Sequence, residues 1–305
     1  MDSFQEKNPL ILITSANGNQ GKRLVPKLLA SGHQIRACVR TESSAEQLHK
    51  LGVHQVRVGD LADPAFIAQA MKGVKSVYHI GPTLHHDERA MGFAMIDAAR
   101  AEGVEHFVFS SVLHAIASDL IQHEIKRDIE EHLLSSGLEY TILQPANYML
   151  PTRLKAVFEE GVFRLAWSLD RRQSMVDLED FTDVVALVLS DRKRHGGATY
   201  ELVGPGRFTA HEIGAVASQV VGREIKVERF DVEVFVRERF GNLEPEALQH
   251  MLRMNLAIAR HYSNHDFVGN SNVLAFLLGR APTAFETFVR REYARFKEAQ
   301  KTLSN

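Results

Sequence analysis

The sequence predicts an α/β fold: a doubly wound parallel sheet followed by a smaller, mainly helical C-terminal lobe. Three observations carry this. Short apolar runs of strand length alternate with helical stretches through the first half. The first of these runs enters a glycine-punctuated turn and then a helix. Beyond Pro151 the alternation gives way to longer amphipathic helices that are richer in charge.

Residues 10–21, LILITSANGNQG, organise the rest. Leu10 to Thr14 are apolar or β-branched and read as a fully buried strand. The turn Ser15-Ala16-Asn17-Gly18-Asn19-Gln20-Gly21 follows. Then comes KRLVPKLLASG, with Leu24, Val25, Leu28 and Leu29 at helical spacing and Gly32 as the stop. The first N–H groups of such a helix, and the positive end of its dipole, face the turn and suit a pyrophosphate. Gly18 would let the backbone approach that ligand, and Gly21 would let the helix pack closely on the strand. The spacing is G-x-x-G-x-x-G with Ser15 in the first glycine's place. Ser15, Gly18, Asn19, Gln20 and Gly21 are therefore candidate cofactor contacts. The alternative is an ordinary strand-to-helix turn that binds nothing.

At 305 residues the chain has room for one large or two modest domains. The expected division is a dinucleotide-binding domain over 8–150, with 177–204 returning to it, and a C-terminal substrate lobe over 151–176 and 205–300. A composition of 45% hydrophobic and 24% charged residues is that of a soluble globular protein. The formal net charge of −2 gives no electrostatic case for nucleic acid or an anionic membrane. Cys38 is the single cysteine and forms no intrachain disulfide, which fits a reducing compartment. The N-terminus is polar, without a signal-peptide core, and no apolar run approaches the ~20 residues that span a bilayer. The expected location is cytoplasmic.

QIRACV (34–39) reads as the second strand and ends at Arg40, where a dinucleotide fold reads the adenosine ribose. An acidic residue there suits the diol of NAD, and an arginine suits the 2′-phosphate of NADP. Arg40 therefore favours NADP(H) over NAD(H), with Arg36 a weaker candidate. The alternative is a solvated arginine at a strand end. A helix over 44–51, stopped by Gly52, leads to the third strand, HQVRV, which ends in Gly59-Asp60-Leu61. Asp60 would accept from the adenine amino group while Leu61 packs on the ring. Equally, Asp60 or Asp63 simply begins the next helix, with Pro64 in its first turn.

VKSVYHI is the fourth strand, and Gly81-Pro82-Thr83 forms a rigid turn beside the glycine turn. A helix over 87–102 would bury Met91, Met95, Ile96 and Ala99. His85 and His86 precede it and read as a solvated pair, so no metal is expected. EHFVFSS, the fifth strand, ends in Ser110 and Ser111, where open α/β sheets place their chemistry. HEIKRDIEEHLLSSG is a helix containing Lys126, and LEYTIL is a sixth strand leading to Gln144-Pro145-Ala146-Asn147. Six such strands imply a Rossmann-type doubly wound sheet, with Gly81, Pro82, Ser110, Lys126 and Pro145 completing the candidate cofactor contacts.

Taken in order, ITSANGNQG, VR at 39–40, GDL at 59–61, SSVLH at 110–114, HEIKRDIEEHLLSSGLEYTILQPANYM, LEDFTDVV and GATYELVGP resemble the NmrA-like branch of the atypical short-chain dehydrogenases/reductases. The resemblance covers most of residues 8–230. It implies NAD(P) binding, with NADP(H) usually preferred, and a smaller C-terminal substrate lobe. Members of that family include NADPH-dependent reductases and cofactor-sensing regulators.

The active-site pattern of ordinary short-chain members is Tyr-x-x-x-Lys, and Gln122 stands where that tyrosine would be. An amide does not donate a proton as a tuned phenol does. Lys126 would hydrogen-bond the nicotinamide ribose or stabilise a developing alkoxide or phenolate; alternatively it is a surface lysine paired with Glu130 at i+4. His123 is a candidate general acid, although one residue's offset turns it about 100° from Gln122. Ser111 either polarises a substrate carbonyl or is an ordinary strand-end serine. Quinone and enone acceptors ask least of a proton donor, because the product anion is delocalised. The expected activity is NADPH-dependent reduction of a small carbonyl, quinone or enone. The rival is a regulator that binds NADP(H) and a protein partner without turnover.

In the second half, a short helix and GVFRLAW follow Pro151. Asn147, Tyr148, Phe163 and Trp167 are candidate substrate contacts, with core packing the alternative for the aromatics. A helix over 177–189 and the strand ATYELV would return to the main domain. Thr209 and Glu212 form a capping box for a helix closed by Gly222. The last helix carries Phe285, Phe288, Val289, Tyr293 and Phe296 on one side, either for a partner or for packing onto the body of the protein.

Overall fold

Four consecutive apolar residues, Leu10–Ile13, form strand β1 inside a seven-stranded sheet. Ile11, Leu12 and Ile13 have no exposed surface, which is why the run shows no apolar–polar alternation. The structure, a computed structural model, describes residues 9–83, 85–117 and 119–304, without the side chains of 303 and 304. The polar N-terminal stretch and the domain start expected at residue 8 lie outside the described residues.

After β1 the chain alternates: α1 (Gly21–Ala30), β2 (Gln34–Val39), α2 (Glu42–Lys50), β3 (Gln55–Val58), α3 (Pro64–Met71), β4 (Ser76–Ile80), α4 (Glu88–Ala101), β5 (His106–Ser110), α5 (Ile121–Ser135) and β6 (Tyr140–Pro145). The pairs β1–β2, β2–β3, β1–β4, β4–β5 and β5–β6 are all parallel. Local chemistry sets the helix starts. Thr41 caps α2 by accepting from the Ser44 N–H, so that helix begins earlier than its apolar pattern suggests. Asp63 caps α3, with Pro64 in the first turn. The helix-start reading of Asp63 therefore holds.

The chain continues through β7 (Asn147–Met149), a turn of 3-10 helix (Pro151–Leu154), α6 (Lys155–Glu159), β8 (Val162–Leu165), β9 (Met175–Asp177), α7 (Leu178–Ser190), α8 (Arg192–His195) and β10 (Ala198–Leu202). Strand β10 lies beside β6, giving the order β10-β6-β5-β4-β1-β2-β3. The connections run from β1 out to β3 and then return to β4 on the other side of β1. That reversal creates a crevice beyond the carboxyl ends of β1 and β4, the place where doubly wound sheets bind ligands.

The remaining elements are α9 (Ala210–Val221), β11 (Lys226–Arg229), α10 (Val232–Phe240), α11 (Pro245–Asn264), α12 (Asn272–Leu278) and α13 (Phe285–Ser304). The capping box at Thr209 and Glu212 starts α9, and Gly222, at φ 79°, ends it. The chain divides into two compact units. The first runs up to Ile116 and includes Gln122–Gln144 and Phe181–Tyr200. The second comprises Ala117–Ile121, Pro145–Asp180 and the chain from Glu201 onward. Within the second unit, β8 pairs in parallel with β11, and β7 with β9. Its last helix is a packing element: Phe285, Phe288 and Val289 are buried, and Phe158 lies 5.2 Å from Tyr293 and 5.4 Å from Phe296 between ring centres. Among the described residues, no helix is long and apolar enough to cross a membrane.

Candidate functional site

The turn between β1 and α1 is built by close backbone contacts. Ser15 adopts φ 49°, the left-handed conformation that a glycine would take without strain. Its Oγ donates to the Ile80 carbonyl at the end of β4, 3.1 Å away. A Cβ on Gly18 would stand 3.1 Å from the Ser15 carbonyl oxygen, and a Cβ on Gly21 would stand 2.1 Å from that of Ala16. Only glycine fits at 21. The N-cap residue of α1, Gln20, makes no side-chain cap hydrogen bond, and the first turn holds no acidic residue. The Gln20 side chain turns inward instead. Its Oε1 accepts from the Tyr78 hydroxyl at 2.5 Å, and its Nε2 donates to Ser110 Oγ at 3.1 Å. The positive end of α1 is thus left facing the turn, beside the exposed Asn19.

A second loop is tied to this turn. Asn17 Nδ2 donates to Ser44 Oγ at 2.7 Å, fastening the turn to the segment after β2 that carries the exposed Arg40. Arg36 does not share that position. Its guanidinium is turned inward, donating to Gln55 Oε1 and to the Ala70 and Lys72 carbonyls. This corrects its reading as a cofactor candidate: it closes the C-terminal end of α3. At the end of β3, Asp60 is exposed and its Oδ1 accepts from the Ala62 N–H at 2.9 Å, while Leu61 is buried.

At the ends of β4 and β5 the structure assembles a polar cluster. Lys126 Nζ lies 2.7 Å from Glu88 Oε1, with the two side chains 6% and 0% exposed. The same ammonium donates to the Ser110 carbonyl at 3.2 Å and sits 5.1 Å from the centre of the Phe109 ring. Lys126 is therefore not a surface lysine paired with Glu130: its side chain is buried and reaches Glu88 on the neighbouring helix α4. Gly81 backs onto this pair: a Cβ there would fall 2.6 Å from Glu88 Oε1 and 3.1 Å from Lys126 Nζ. The half-buried Pro82 follows it. Burial, with Lys126 nearby, pushes the His79 ring down to about 3.

Glu130, one turn beyond Lys126, takes different partners. Ser111 Oγ donates to its Oε1, and Gln144 Nε2 donates to both of its oxygens, at 2.9 and 3.1 Å. Burial raises its carboxyl above the ordinary glutamate range, against the pull of those hydrogen bonds and of Lys126. Gln122, in the tyrosine's place, is buried, and its Oε1 has no hydrogen-bond partner among the described residues. His123 is buried, and its Nδ1 donates to the His114 carbonyl at 2.9 Å. The neutral ring therefore presents Nε2 as an acceptor and acts as an acid only when doubly protonated.

Glu88, Glu130 and Gln144 were not singled out by sequence reasoning. Each acquires its place through contacts between elements. The one available signal was spacing, since Gln122, Lys126 and Glu130 recur at i, i+4 and i+8 on one helix face.

Pro145, a candidate cofactor contact, is the buried last residue of β6, and the candidate substrate contacts lie in the second unit. Asn147 Nδ2 donates to Gln173 Oε1 at 3.2 Å. Trp167 is buried edge-on against Tyr262, 5.2 Å between ring centres, and its indole N–H has no partner among the described residues. Tyr148 and Phe163 line a cavity of about 20 Å³ with Gln173 and Phe288, room for one water molecule. Asn147 and Trp167 do not line it. Among the described residues, two groups bring together side chains that often bind metals: His85, His86 and Asp87, and Asp119, His261 and His265. The first adds Asp87 to the histidine pair read from the sequence.

The chain is 27% identical over 296 residues to NAD(P)H azoreductase of Xenophilus azovorans, covering 95% of this chain and all of that protein. It is 28% identical over 249 residues to quinone oxidoreductase 2 of Escherichia coli, covering 80% of this chain and 85% of the relative. The crystal structure of an NADPH-dependent quinone oxidoreductase from Escherichia coli in complex with NADPH superposes with a TM-score of 0.77 at 25% identity, covering 92% of this chain and 99% of that one. The family model described as the NmrA-like family matches residues 7–273. With most of its length matched, from the glycine turn into the C-terminal helices, this chain belongs to the NmrA-like family.

Proposed function

We propose that this protein is an NADPH-dependent oxidoreductase that reduces a small carbonyl, quinone or enone acceptor. The observation that carries this reading is the N-terminus of α1, without a side-chain cap hydrogen bond from Gln20, facing a glycine turn whose Asn17 is tied to the Arg40 segment. The residues present fit a dinucleotide. Gly18 and Gly21 leave the backbone bare where a Cβ would intrude, the amides of α1 offer an anion site, and Arg40 offers an exposed cation for a 2′-phosphate. An azoreductase matched along its whole length and a quinone oxidoreductase matched along most of its length support the same class of chemistry.

In this reading, Ser15, Gly18, Asn19, Gln20 and Gly21 hold the pyrophosphate, Asp60 and Leu61 flank the adenine, and Gly81, Pro82, Ser110 and Lys126 line the nicotinamide half, with Pro145 a further candidate cofactor contact. A bound reduced cofactor supplies the hydride. The protein orients the acceptor and manages charge. Lys126 holds a positive charge in a buried setting where it stabilises a developing alkoxide or phenolate. Glu88, 2.7 Å away, directs that ammonium. Ser111 hydrogen-bonds the acceptor oxygen, and Asn147, Tyr148 and Trp167 are its candidate side-chain contacts.

The test is loss of NADPH absorbance on adding a panel of quinones, enones and simple carbonyl compounds. Acceptor-dependent oxidation, strongest for quinones or enones and lowered in Lys126→Met, is the expected result. Tight NADPH binding without oxidation of the cofactor by any acceptor would contradict it and favour the regulator reading, which the missing tyrosine at Gln122 supports.

A further inference from the structure

We infer that Ser111 and Glu130 form a proton-delivery pair, in which the Glu130 carboxyl holds a proton behind the Ser111 hydroxyl and supplies it to the acceptor through that hydroxyl. The inference rests on the reductase reading above and names the proton source that Gln122 cannot be.

The geometry is specific. Ser111 lies just past the end of β5, where chemistry in this fold is placed, and Glu130 lies on α5 behind it. Ser111 Oγ is in hydrogen-bond contact with Glu130 Oε1, and Gln144 Nε2 from β6 reaches both carboxyl oxygens. A hydroxyl has one proton. While Glu130 is ionised, that proton points at the carboxylate and Ser111 has none for a substrate oxygen. Once Glu130 is protonated, its O–H donates to Ser111 Oγ, and the Ser111 proton is released to point elsewhere. Gln144 serves both states, because its amide N–H pairs with whichever carboxyl oxygen is not the donor. The protonation state of Glu130 therefore sets the direction of the Ser111 hydroxyl.

The proton balance is simple. Reduction of one carbonyl or quinone oxygen consumes a hydride, which the reduced cofactor supplies, and one proton. The proton passes from Ser111 Oγ to the acceptor oxygen, and Ser111 regains one from the Glu130 carboxyl. Glu130 is left as a carboxylate and recovers its proton from water. The charged group acting on Glu130 is Lys126 on the same helix, whose own charge is taken up by Glu88. Neither Ser111, just past β5, nor Gln144 on β6 titrates in the neutral range. Burial favours the proton-holding form of Glu130, and Lys126 opposes it without cancelling it. Ser111 is the catalytic residue of this pair, and Glu130 is a positioning residue that acts through it.

Two measurements test the pair. The first is an infrared pH titration of wild type, Glu130→Gln and Ser111→Ala without cofactor. A protonated carboxyl band that disappears in Glu130→Gln, shifts in Ser111→Ala and titrates above the ordinary glutamate range is the expected result. The second is the pH profile of quinone reduction with NADPH. In wild type, kcat should fall as pH rises through the titration of Glu130. Glu130→Gln should lower kcat roughly tenfold to a hundredfold with little change in KM, and should flatten that profile. Glu130→Asp should restore part of the rate and the slope. A protein that shows the band but reduces no acceptor refutes the reductase reading and keeps the pair as a coupled titrating unit. A protein that reduces quinones with no such band, or with the same pH profile in Glu130→Gln, overturns the pair alone.

Discussion

Lys126 Nζ stands 2.7 Å from Glu88 Oε1, in a site where both side chains are buried. The two residues come from different helices, α5 and α4, and Gly81 at the end of β4 leaves the space in which they meet. Removing one partner of such a pair strands the other charge away from water. We expect Glu88→Ala to lower stability by about 3–5 kcal/mol. The double variant Glu88→Leu with Lys126→Met should cost less than Glu88→Ala alone, because no unpaired charge remains. Urea midpoints of the wild type and the two variants decide this. A single variant as stable as wild type would show that the pair is not held in the folded chain.

Gly21 admits no side chain. Alanine there would place Cβ 2.1 Å from the Ala16 carbonyl oxygen, and the backbone would have to part to accept it. We expect Gly21→Ala to cost about 1–3 kcal/mol and to weaken NADPH binding at least about tenfold. Gly18→Ala, with a 3.1 Å contact to Ser15, should be milder in both. Thermal unfolding and calorimetry read the two effects separately.

Ser15 holds a left-handed backbone against its own Cβ, and its hydroxyl offsets part of that cost by binding the Ile80 carbonyl. Ser15→Gly loses the hydrogen bond but relieves the strain, so its stability should lie within about 1 kcal/mol of wild type. Ser15→Ala loses the bond and keeps the strain, and should be the less stable of the two. The reverse order in thermal unfolding would show that the turn does not require this conformation.

Two buried histidines make the fold acid-sensitive. Burial pushes His79 down to about 3 and His106 down to about 4, below the 6.5 of a solvated ring. Each stays neutral in the folded chain where the unfolded chain would protonate it. Their contribution is fully present above pH 6.5. It is lost as pH falls from there toward about 4, at about 1.4 kcal/mol per pH unit for each ring. His106→Gln should therefore lose less stability than wild type between about pH 7 and pH 5, by about 2 kcal/mol. Urea unfolding at the two pH values measures the difference.

Strand β1, the glycine turn and α1 were legible because all their signals are local: an apolar run, small residues in the turn, and a 3.6-residue period. The capping box of α9 was legible for the same reason. Strands β7 and β9 were not, since three residues carry no usable period. Arg36 looked available to a ligand because its place in β2 is visible in the sequence, while the α3 carbonyls that bind it are not. Lys126 and Glu130 looked like an i, i+4 pair on one helix. Tertiary contacts give each a separate partner, Glu88 from α4 and Ser111 from the end of β5. The residues that tune the candidate site are thus those whose roles arise only when elements meet.

The most direct test of the central claim is calorimetric titration of NADPH, NADP⁺, NADH and NAD⁺ into the wild-type protein and Arg40→Ala. The account predicts binding of the phosphorylated pair at least about tenfold tighter than of the unphosphorylated pair, with that margin lost in Arg40→Ala. Failure of all four nucleotides to bind would contradict it, leaving a dinucleotide architecture that holds no dinucleotide.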